Sequence, residues 1–352
     1  MHIINIMFSA IGGGIEQAFV DYSEGLMRRG HKVTAITHPN AVVNPQLKAL
    51  GLTPVTMRNI GEWDPVAIVR LGMKIKRLAP DVVLAHTGRS FALAKYAVRG
   101  RYPLVGVAHN YNARKRRMVA ADGVFAITHD VMRFLMEQGI AEECIFLIPN
   151  MIKCDALPVR NKRGEVPIIG TMGRFVKKKG FEIYIDALKL LNERGYHFKA
   201  ILGGDGEESA RLKARAKAAG LADIVFFPGW IEDKKAFYTG IDMFCLPSLH
   251  EPFGIVLLEA FTHGTPIVTS DSEGPRDIVT PNFDALLVKN ENAPELAAAM
   301  ARLLDDPNLA VTLATNGFVK VKTAYSLESV SERIEKALEV IVKRRQSPLP
   351  RL

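Results

Sequence analysis

Asp242-Met-Phe-Cys-Leu-Pro-Ser-Leu-His-Glu-Pro-Phe-Gly-Ile-Val-Leu-Leu-Glu-Ala260 passes from strand to turn to helix within 19 residues. Residues 242–246 form an apolar run of strand length, 247–252 carry two prolines, and 254–261 are rich in Leu, Val and Ala, which predicts a buried strand, a turn and a helix. Glu251 then precedes the helix and Glu259 lies inside it, with seven residues between them. Around Phe253, Gly254 and Ile255 the first-turn amides of a helix lack intrahelical acceptors, and together with the helix dipole they suit a diphosphate. A carboxylate repels phosphate but accepts two hydrogen bonds from a vicinal diol. The spacing therefore fits two acids gripping the ends of a nucleotide sugar.

The same alternation runs along the chain. In the first half, β-rich runs at 3–8, 32–37, 53–57, 81–85, 104–108, 123–127 and 145–148 are separated by helical patterns that include 14–29, 65–78, 90–99 and 130–138. Residues 150–167 lose this periodicity and read as a linker with Pro, Lys and Arg. It resumes with strands at 166–172, 197–202, 224–227, 242–246 and 266–269 and helices at 179–193, 207–219, 233–239 and 254–263. Helical stretches at 293–304, 307–323 and 327–343 follow. Alternation at this pitch predicts α/β architecture with two doubly wound parallel sheets. Ligands of such sheets sit beyond the carboxyl ends of the strands, and each polar motif below follows a predicted strand.

The 352 residues suit two domains, each large enough for a core. No apolar stretch reaches the ~18 residues of a membrane span, and 3–8 lacks a basic leader, so a cytoplasmic location is expected. Cys144, Cys154 and Cys245 are too few and too irregularly spaced for a disulfide framework or metal site, and are read as core or incidental. The net charge is +9. Residues 1–150 hold 18 Lys and Arg against 11 Asp and Glu, an excess of +7, while the remainder hold 28 against 26, or +2. The densest point is Arg114, Lys115, Arg116 and Arg117. It is either a solvated helix face or a surface for an anionic acceptor or anionic lipid head groups, which would make the protein peripheral at the inner face of the cytoplasmic membrane. No nucleic-acid partner is expected, because no recognition-helix or aromatic-interleaved pattern accompanies the charge.

Gly12-Gly13-Gly14 follows the first strand, where glycine permits a tight turn or close approach to a phosphate or sugar. Gln17 breaks a dinucleotide fingerprint and no P-loop lysine follows, which disfavours nicotinamide and ATP. Gly173-Arg174-Phe175-Val176-Lys177-Lys178-Lys179-Gly180 opens the second alternation. Arg174 and Lys179 suit a diphosphate leaving group, while Lys177 and Lys178 suit solvent. A basic helix start is unfavourable against the dipole and needs an anionic partner. Gly203-Gly204-Asp205-Gly206 and Phe227-Pro228-Gly229-Trp230 end two more strands, and His86 and His109 end two strands of the first half.

Assembled in order, these residues resemble glycosyltransferase family 4, the retaining nucleotide-sugar enzymes of the GT-B fold. The resemblance rests on Gly13-Gly14-Ile15-Glu16, Gly30-His31-Lys32-Val33, Ile148-Pro149-Asn150, Gly173-Arg174 with Lys179-Gly180, and Gly203-Gly204-Asp205-Gly206. It continues through Glu251-Pro252-Phe253-Gly254, Glu259-Ala260, Gly264-Thr265-Pro266-Ile267-Val268 and Gly274. It implies two Rossmann-like domains facing a central cleft. An acceptor-side domain over 1–155 would be completed by a final helix near 327–345, with a donor domain over 156–326 and a disordered tail over 346–352. By resemblance, Glu259 would hold the ribose hydroxyls and Glu251 a hydroxyl of the donor sugar. Amides of Phe253, Gly254 and Ile255 would bind phosphate and sugar, Arg174 and Lys179 the diphosphate, and the backbone at Trp230 and Ile231 the base. His109 would reach the donor sugar; Gly13, Gly14 and Gly204 would line the donor site.

Asp277 stands where the family has Glu, Met151 where Gly is common after Pro-Asn, and Ala285 in place of a Gly. The expected reaction is transfer from a nucleotide diphosphate sugar, UDP preferred, to a hydroxyl of a glycan or glycolipid acceptor, as in bacterial envelope or lipopolysaccharide synthesis. No cofactor or metal is expected, since no Asp-x-Asp triplet occurs. The alternatives are a nucleotide-sugar 2-epimerase or phosphorylase on the same scaffold, and a non-catalytic nucleotide-sugar-binding protein.

Overall fold

The computed structural model describes residues 1–10, 12–157 and 164–346, with side chains left out of the description at 113–116. The chain forms two compact units, one of Met1–Lys153 with the chain from Tyr325, the other of Cys154–Ala324. Unit 1 runs β1 (His2–Met7), α1 (Gly14–Arg28), β2 (Lys32–Thr37), α2 (Asn44–Ala49), β3 (Val55–Thr56) and α3 (Pro65–Leu78). It continues through β4 (Val82–Ala85), α4 (Gly88–Val98), β5 (Leu104–Ala108), β6 (Gly123–Ala126), α5 (His129–Glu137) and β7 (Ile145–Leu147). Its strands form one parallel sheet in the order β3-β2-β1-β4-β5-β6-β7. β4 and β5 are buried along their whole length. That is why their sequences are continuous apolar runs, as strands covered on both faces require.

Unit 2 runs β8 (Ile168–Met172), α6 (Phe181–Glu193), β9 (Lys199–Gly203), α7 (Ser209–Ala218), β10 (Val225–Phe226), α8 (Lys234–Gly240) and β11 (Met243–Leu246). Then follow α9 (Ile255–Thr262), β12 (Ile267–Ser270), α10 (Glu273–Ile278), β13 (Leu286–Val288), α11 (Ala293–Asp305) and α12 (Pro307–Lys320). The parallel sheet order is β10-β9-β8-β11-β12-β13. In each unit the strand order reverses beside the first strand, between β1 and β4 and between β8 and β11. A crevice at the carboxyl ends of the strands opens at such a reversal.

A π-helical turn at Val321–Tyr325 leads to α13 (Leu327–Gln346). Leu327, Val330, Ile334, Leu338 and Ile341 of α13 join Ile3, Tyr22, Val105 and Phe125 in the core of unit 1. The start of α13 is fixed by Leu327 N–H donating to Ile152 O at 3.0 Å and Ile152 N–H donating to Tyr325 O at 2.9 Å. Gly25 of α1 and Gly123 of β6 face Ser331 and Ile341, where a Cβ would collide. Glu335 of α13 pairs with Arg29 Nε at 2.6 Å and lies 2.9 Å from His31 Nε2.

Three sequence expectations change. The helix expected from 179 begins at Phe181, because Gly180 adopts φ 64° and Lys177–Lys179 form a 3-10 turn. The run 114–117, one reading of which was a helix face, lies in a 3-10 segment, Ala113–Ala120. The side chains of Arg114, Lys115 and Arg116 lie outside the described residues; Arg117 pairs with Glu62 and sits 5.9 Å over the Trp63 ring. Residues 346–352 were expected as a tail, yet Gln346 ends α13, and 347–352 lie outside the described residues. Cys245 is buried in the core of unit 2. Among the described residues no helix is long and apolar enough to cross a membrane.

Asp21 on α1 is almost wholly buried and accepts a hydrogen bond from Gln17 Nε2 at 2.8 Å. Burial pushes its carboxyl up to about 7, against the Gln17 hydrogen bond and the Lys153 charge, which pull it down, with Glu24 pushing the same way as burial. A raised carboxyl favours the proton-bound folded state, so its contribution is full below the ordinary carboxylate value and is lost as pH rises through about 7. Asp21→Asn is expected to stabilise the protein by about 2–4 kcal/mol near pH 8, with the gain shrinking towards pH 4. Urea melts of both proteins across that range check this, and a gain independent of pH would refute it.

Candidate active site

The carboxyl ends of β8 and β11 place two loops side by side in unit 2. After β11, the chain turns through Pro247–Gly254 into α9, so Glu251 precedes the helix and Glu259 lies within it. Glu251 is 8% exposed; its carboxylate bonds to Lys179 Nζ and lies 3.5 Å from Ser248 Oγ. Its backbone is held as firmly, since Glu251 N–H donates to Glu273 Oε2 at 3.0 Å and Glu251 O accepts from Gly274 N–H at 2.7 Å. Gly274 is obligatory there, because a Cβ would strike the Phe253 carbonyl. Gly180, at φ 64°, plays the matching part in the first loop, where a Cβ would meet the Pro247 carbonyl. His250 Nδ1 lies 3.0 Å from Glu273 Oε1, and Leu249 and His250 N–H both donate to Lys178 O, at 2.9 and 3.2 Å.

Glu259 occupies the second turn of α9. Oε1 accepts from Lys234 Nζ at 2.5 Å and Oε2 from Tyr238 OH at 3.0 Å. Tyr238 is fully buried, its ring stacked on His263 with centroids 5.3 Å apart. Burial first, then the neighbouring Glu259 charge and hydrogen bond, raise its phenol well above the ordinary value, so it stays a donor. A carboxylate offers about four acceptor positions, so two remain for the hydroxyls of a diol.

Arg174 is exposed on the loop after β8 and has no ion-pair partner among the described residues, whereas Lys179 is committed to Glu251. The two cations expected at a diphosphate thus differ in kind: one is held and one is available. Lys177 and Lys178 face solvent. Phe253 and Gly254 are buried and Ile255 half-buried at the opening of α9, with Gly254 at φ 95°. Gly204, at φ 135°, donates to Gly229 O at 2.6 Å, and a Cβ would collide with Gly173 O. Backbone packing by itself therefore accounts for glycine at that position. Trp230 is exposed, and Ile231 packs half-buried against Gly203.

In unit 1, Gly13 caps α1 and Gly14 begins it, with open space where a Gly14 Cβ would lie. Ile11 lies outside the described residues. His86 and His109 follow β4 and β5, both buried, with His86 Nδ1 3.2 Å from His109 Nε2 and the rings stacked. One ring must donate and the other accept, so the pair fixes its tautomers jointly. Phe19 and Tyr22 pack edge-on against His86.

Sequence reasoning missed Tyr238, Lys234 and Glu273. Tyr238 and Lys234 were read only as part of a helical stretch. Their signal was an aromatic and a lysine on the helix before the strand that leads to the carboxylate pair. Glu273 adjoins Gly274, and its acidity beside that obligatory glycine was the available clue.

Two Rossmann-like units in one chain, each a doubly wound parallel sheet with its own reversal of strand order, define the class as the GT-B fold. The model described as Glycosyltransferase Family 4 matches residues 12–156, and that described as Glycosyl transferases group 1 matches 155–320. The lipopolysaccharide core biosynthesis glycosyltransferase LpsD of Rhizobium meliloti is 30% identical over 339 residues, covering 94% of this chain and 96% of its own. LpsE of the same organism, also a lipopolysaccharide core biosynthesis glycosyltransferase, is 28% identical over 330 residues, or 91% and 94% of the two chains. The structure of Anabaena Alr3699/HepE in complex with UDP aligns with a TM-score of 0.85 at 21% identity, covering 97% of this chain and 100% of that one. The chain belongs to glycosyltransferase family 4, and it is a glycosyltransferase.

Burial raises the Glu273 carboxyl, but the His250 hydrogen bond, the amides of Glu273 and Glu251 and the His250 charge outweigh it and hold the group below its ordinary value. A lowered carboxyl stabilises the fold above its unfolded value and loses that contribution as pH falls through the folded one. Glu273→Gln is expected to cost about 1–2 kcal/mol at neutral pH, from weaker hydrogen bonds to the Glu251 loop. The difference should shrink as pH falls through and below the usual carboxylate range. Chemical melts at several pH values decide it: an unchanged midpoint at neutral pH would show that Glu273 does not pin this loop.

Proposed function

We propose that this glycosyltransferase moves a sugar from a nucleotide diphosphate carrier, UDP, to a hydroxyl of a glycan or glycolipid of the bacterial envelope, with retention at the anomeric carbon. The observation that carries this reading is the placing of Glu251 with Lys179 and Glu259 with Tyr238 on either side of the first turn of α9. Glu259 takes the ribose diol, the helix opening takes the diphosphate, and Glu251 takes a hydroxyl of the sugar. The lipopolysaccharide-core relatives support the acceptor class, and the UDP complex of the structural neighbour supports the base.

The departing diphosphate gathers charge as the sugar approaches an oxocarbenium ion, so stabilising that charge is the main catalytic demand. Arg174 and Lys179 supply it, and no metal is required. The acceptor oxygen bonds to the anomeric carbon, the carbon–oxygen bond to the diphosphate breaks, and the acceptor proton passes to the leaving phosphate on the same face. His109, paired with His86, contacts the transferred sugar. We place the protein in the cytoplasm, drawn to the anionic inner face of the membrane by the basic cluster of Arg114, Lys115, Arg116 and Arg117.

With UDP-sugars and a truncated lipopolysaccharide acceptor, Glu259→Ala is expected to raise the donor KM, and Arg174→Ala to lower kcat by about 100-fold. Near-normal transfer by either variant would sink the assignment. Transfer should persist in a chelator, and NMR of the product should show the donor's anomeric configuration. Release of epimerised free sugar, or dependence on inorganic phosphate, would instead support the scaffold's other chemistries.

A further inference from the structure

The outer face of α3 and α4 in unit 1 takes no part in the chemistry above. Val66, Val69 and Met73 fall on one stripe of α3 at three- and four-residue spacing, and they are 56%, 53% and 60% exposed. A helix of a globular domain ordinarily turns such a stripe inwards. Here Ala67, Leu71 and Ile75 fill the core, leaving a second apolar stripe outside. Trp63 is 65% exposed at its head and Tyr96 of α4 lies beside it, the rings 5.3 Å apart. Gly72 brings the helices close, since a Cβ would lie 3.2 Å from Ala97 O. The larger side chains around that contact wall a cavity of about 610 Å³ bordered by Trp63, Val69, Tyr96, Tyr102, Arg99 and Arg345. A second cavity of about 170 Å³ shares Val69, Tyr96 and Arg99 and extends to Met73, Lys76 and Arg101.

The charge around these cavities is predominantly basic. Lys76, Lys95, Arg99 and Arg101, which line them, have no ion-pair partner among the described residues. The neighbouring acids are engaged: Glu62 with Arg117, Asp122 with Arg345 at 2.9 Å, and Asp64 capping α3 through Ala67 N–H at 2.9 Å. Arg117, itself paired with Glu62, lies 5.9 Å over the Trp63 ring. Exposed aliphatic side chains, an interfacial tryptophan and tyrosine, and uncompensated Lys and Arg together match the chemistry of an anionic bilayer surface.

We propose that the α3–α4 face of unit 1 docks on anionic phospholipid bilayers. Trp63, Val66, Val69 and Met73 enter the head-group boundary, and Lys76, Lys95 and Arg99 face lipid phosphates. This goes beyond the membrane attraction proposed above, which rests on a different cluster, and it requires no donor or acceptor.

The full-length protein should co-sediment with vesicles of mixed phosphatidylglycerol and phosphatidylcholine, and poorly with phosphatidylcholine alone. Val69→Glu with Met73→Glu, both at exposed positions, should weaken that binding by about tenfold or more. Lys76→Ala with Lys95→Ala and Arg99→Ala should weaken it and flatten its salt dependence. The chain has two tryptophans. In a Trp230→Phe background, Trp63 emission should therefore shift to the blue on vesicles and be quenched by lipids brominated near the head group. An unchanged far-UV circular dichroism spectrum and a cooperative thermal melt confirm that the variants fold. No binding to phosphatidylglycerol vesicles, binding indifferent to Val69→Glu with Met73→Glu, or unquenched Trp63 would each overturn the proposal. So would a lipid-independent dimer abolished by the same pair, which would make the face a contact between copies.

Discussion

A carboxylate as buried as Glu251 persists only beside a cation, because an unpaired charge at that depth costs several kcal/mol. Lys179 meets that need from a different loop, so the pair ties the end of β8 to the end of β11 across the reversal in strand order. The remaining constraints of unit 2 converge on this link. Gly180 exists so that its loop can touch the Pro247 carbonyl, Gly274 so that α10 can reach the Phe253 carbonyl, and Glu273 holds the Glu251 amide. Rigid backbone around a paired charge is what preorganised polar recognition requires.

The same logic separates the two acids. Glu251 is fixed on every side, by backbone and by Lys179. Glu259 is held at its outer edge by Lys234 and at its inner edge by a phenol that burial keeps protonated. Its remaining acceptor positions are oriented without a full enclosure. Arg174 is the exposed member of the set, without an ion-pair partner among the described residues. In the proposed reaction, a held lysine and an available arginine would divide the work of meeting the charge on the leaving diphosphate.

Much of this was legible in the sequence because parallel strands buried on both faces leave apolar runs that only a doubly wound sheet explains. Glu251 and Arg174 announced themselves as charges placed just beyond such runs, and Glu259 as the acid inside the apolar helix that follows. The short elements did not: α2 has six residues, α10 contains Gly274 and Pro275, and β13 has three residues. Too few side chains were present in each to show a period, and tertiary contacts decide their form. Tyr238 and Glu273 were hidden for another reason. Each acts through a residue distant in sequence, Tyr238 through Glu259 and Glu273 through the Glu251 amide, and no local pattern encodes that pairing.

Gly204 shows how a motif and a role can come apart. Its glycine belongs to the ordered set that identifies the family, yet φ 135° and the Gly173 carbonyl demand glycine whether or not a ligand lies near. The turn brings three strand ends together, through Gly173 N–H to Gly203 O at 3.0 Å and Gly204 N–H to Gly229 O at 2.6 Å. Any phosphate contact there would be a consequence of that packing. The glycine sets how closely this turn packs against Gly173, the residue before Arg174, and so where the available cation stands.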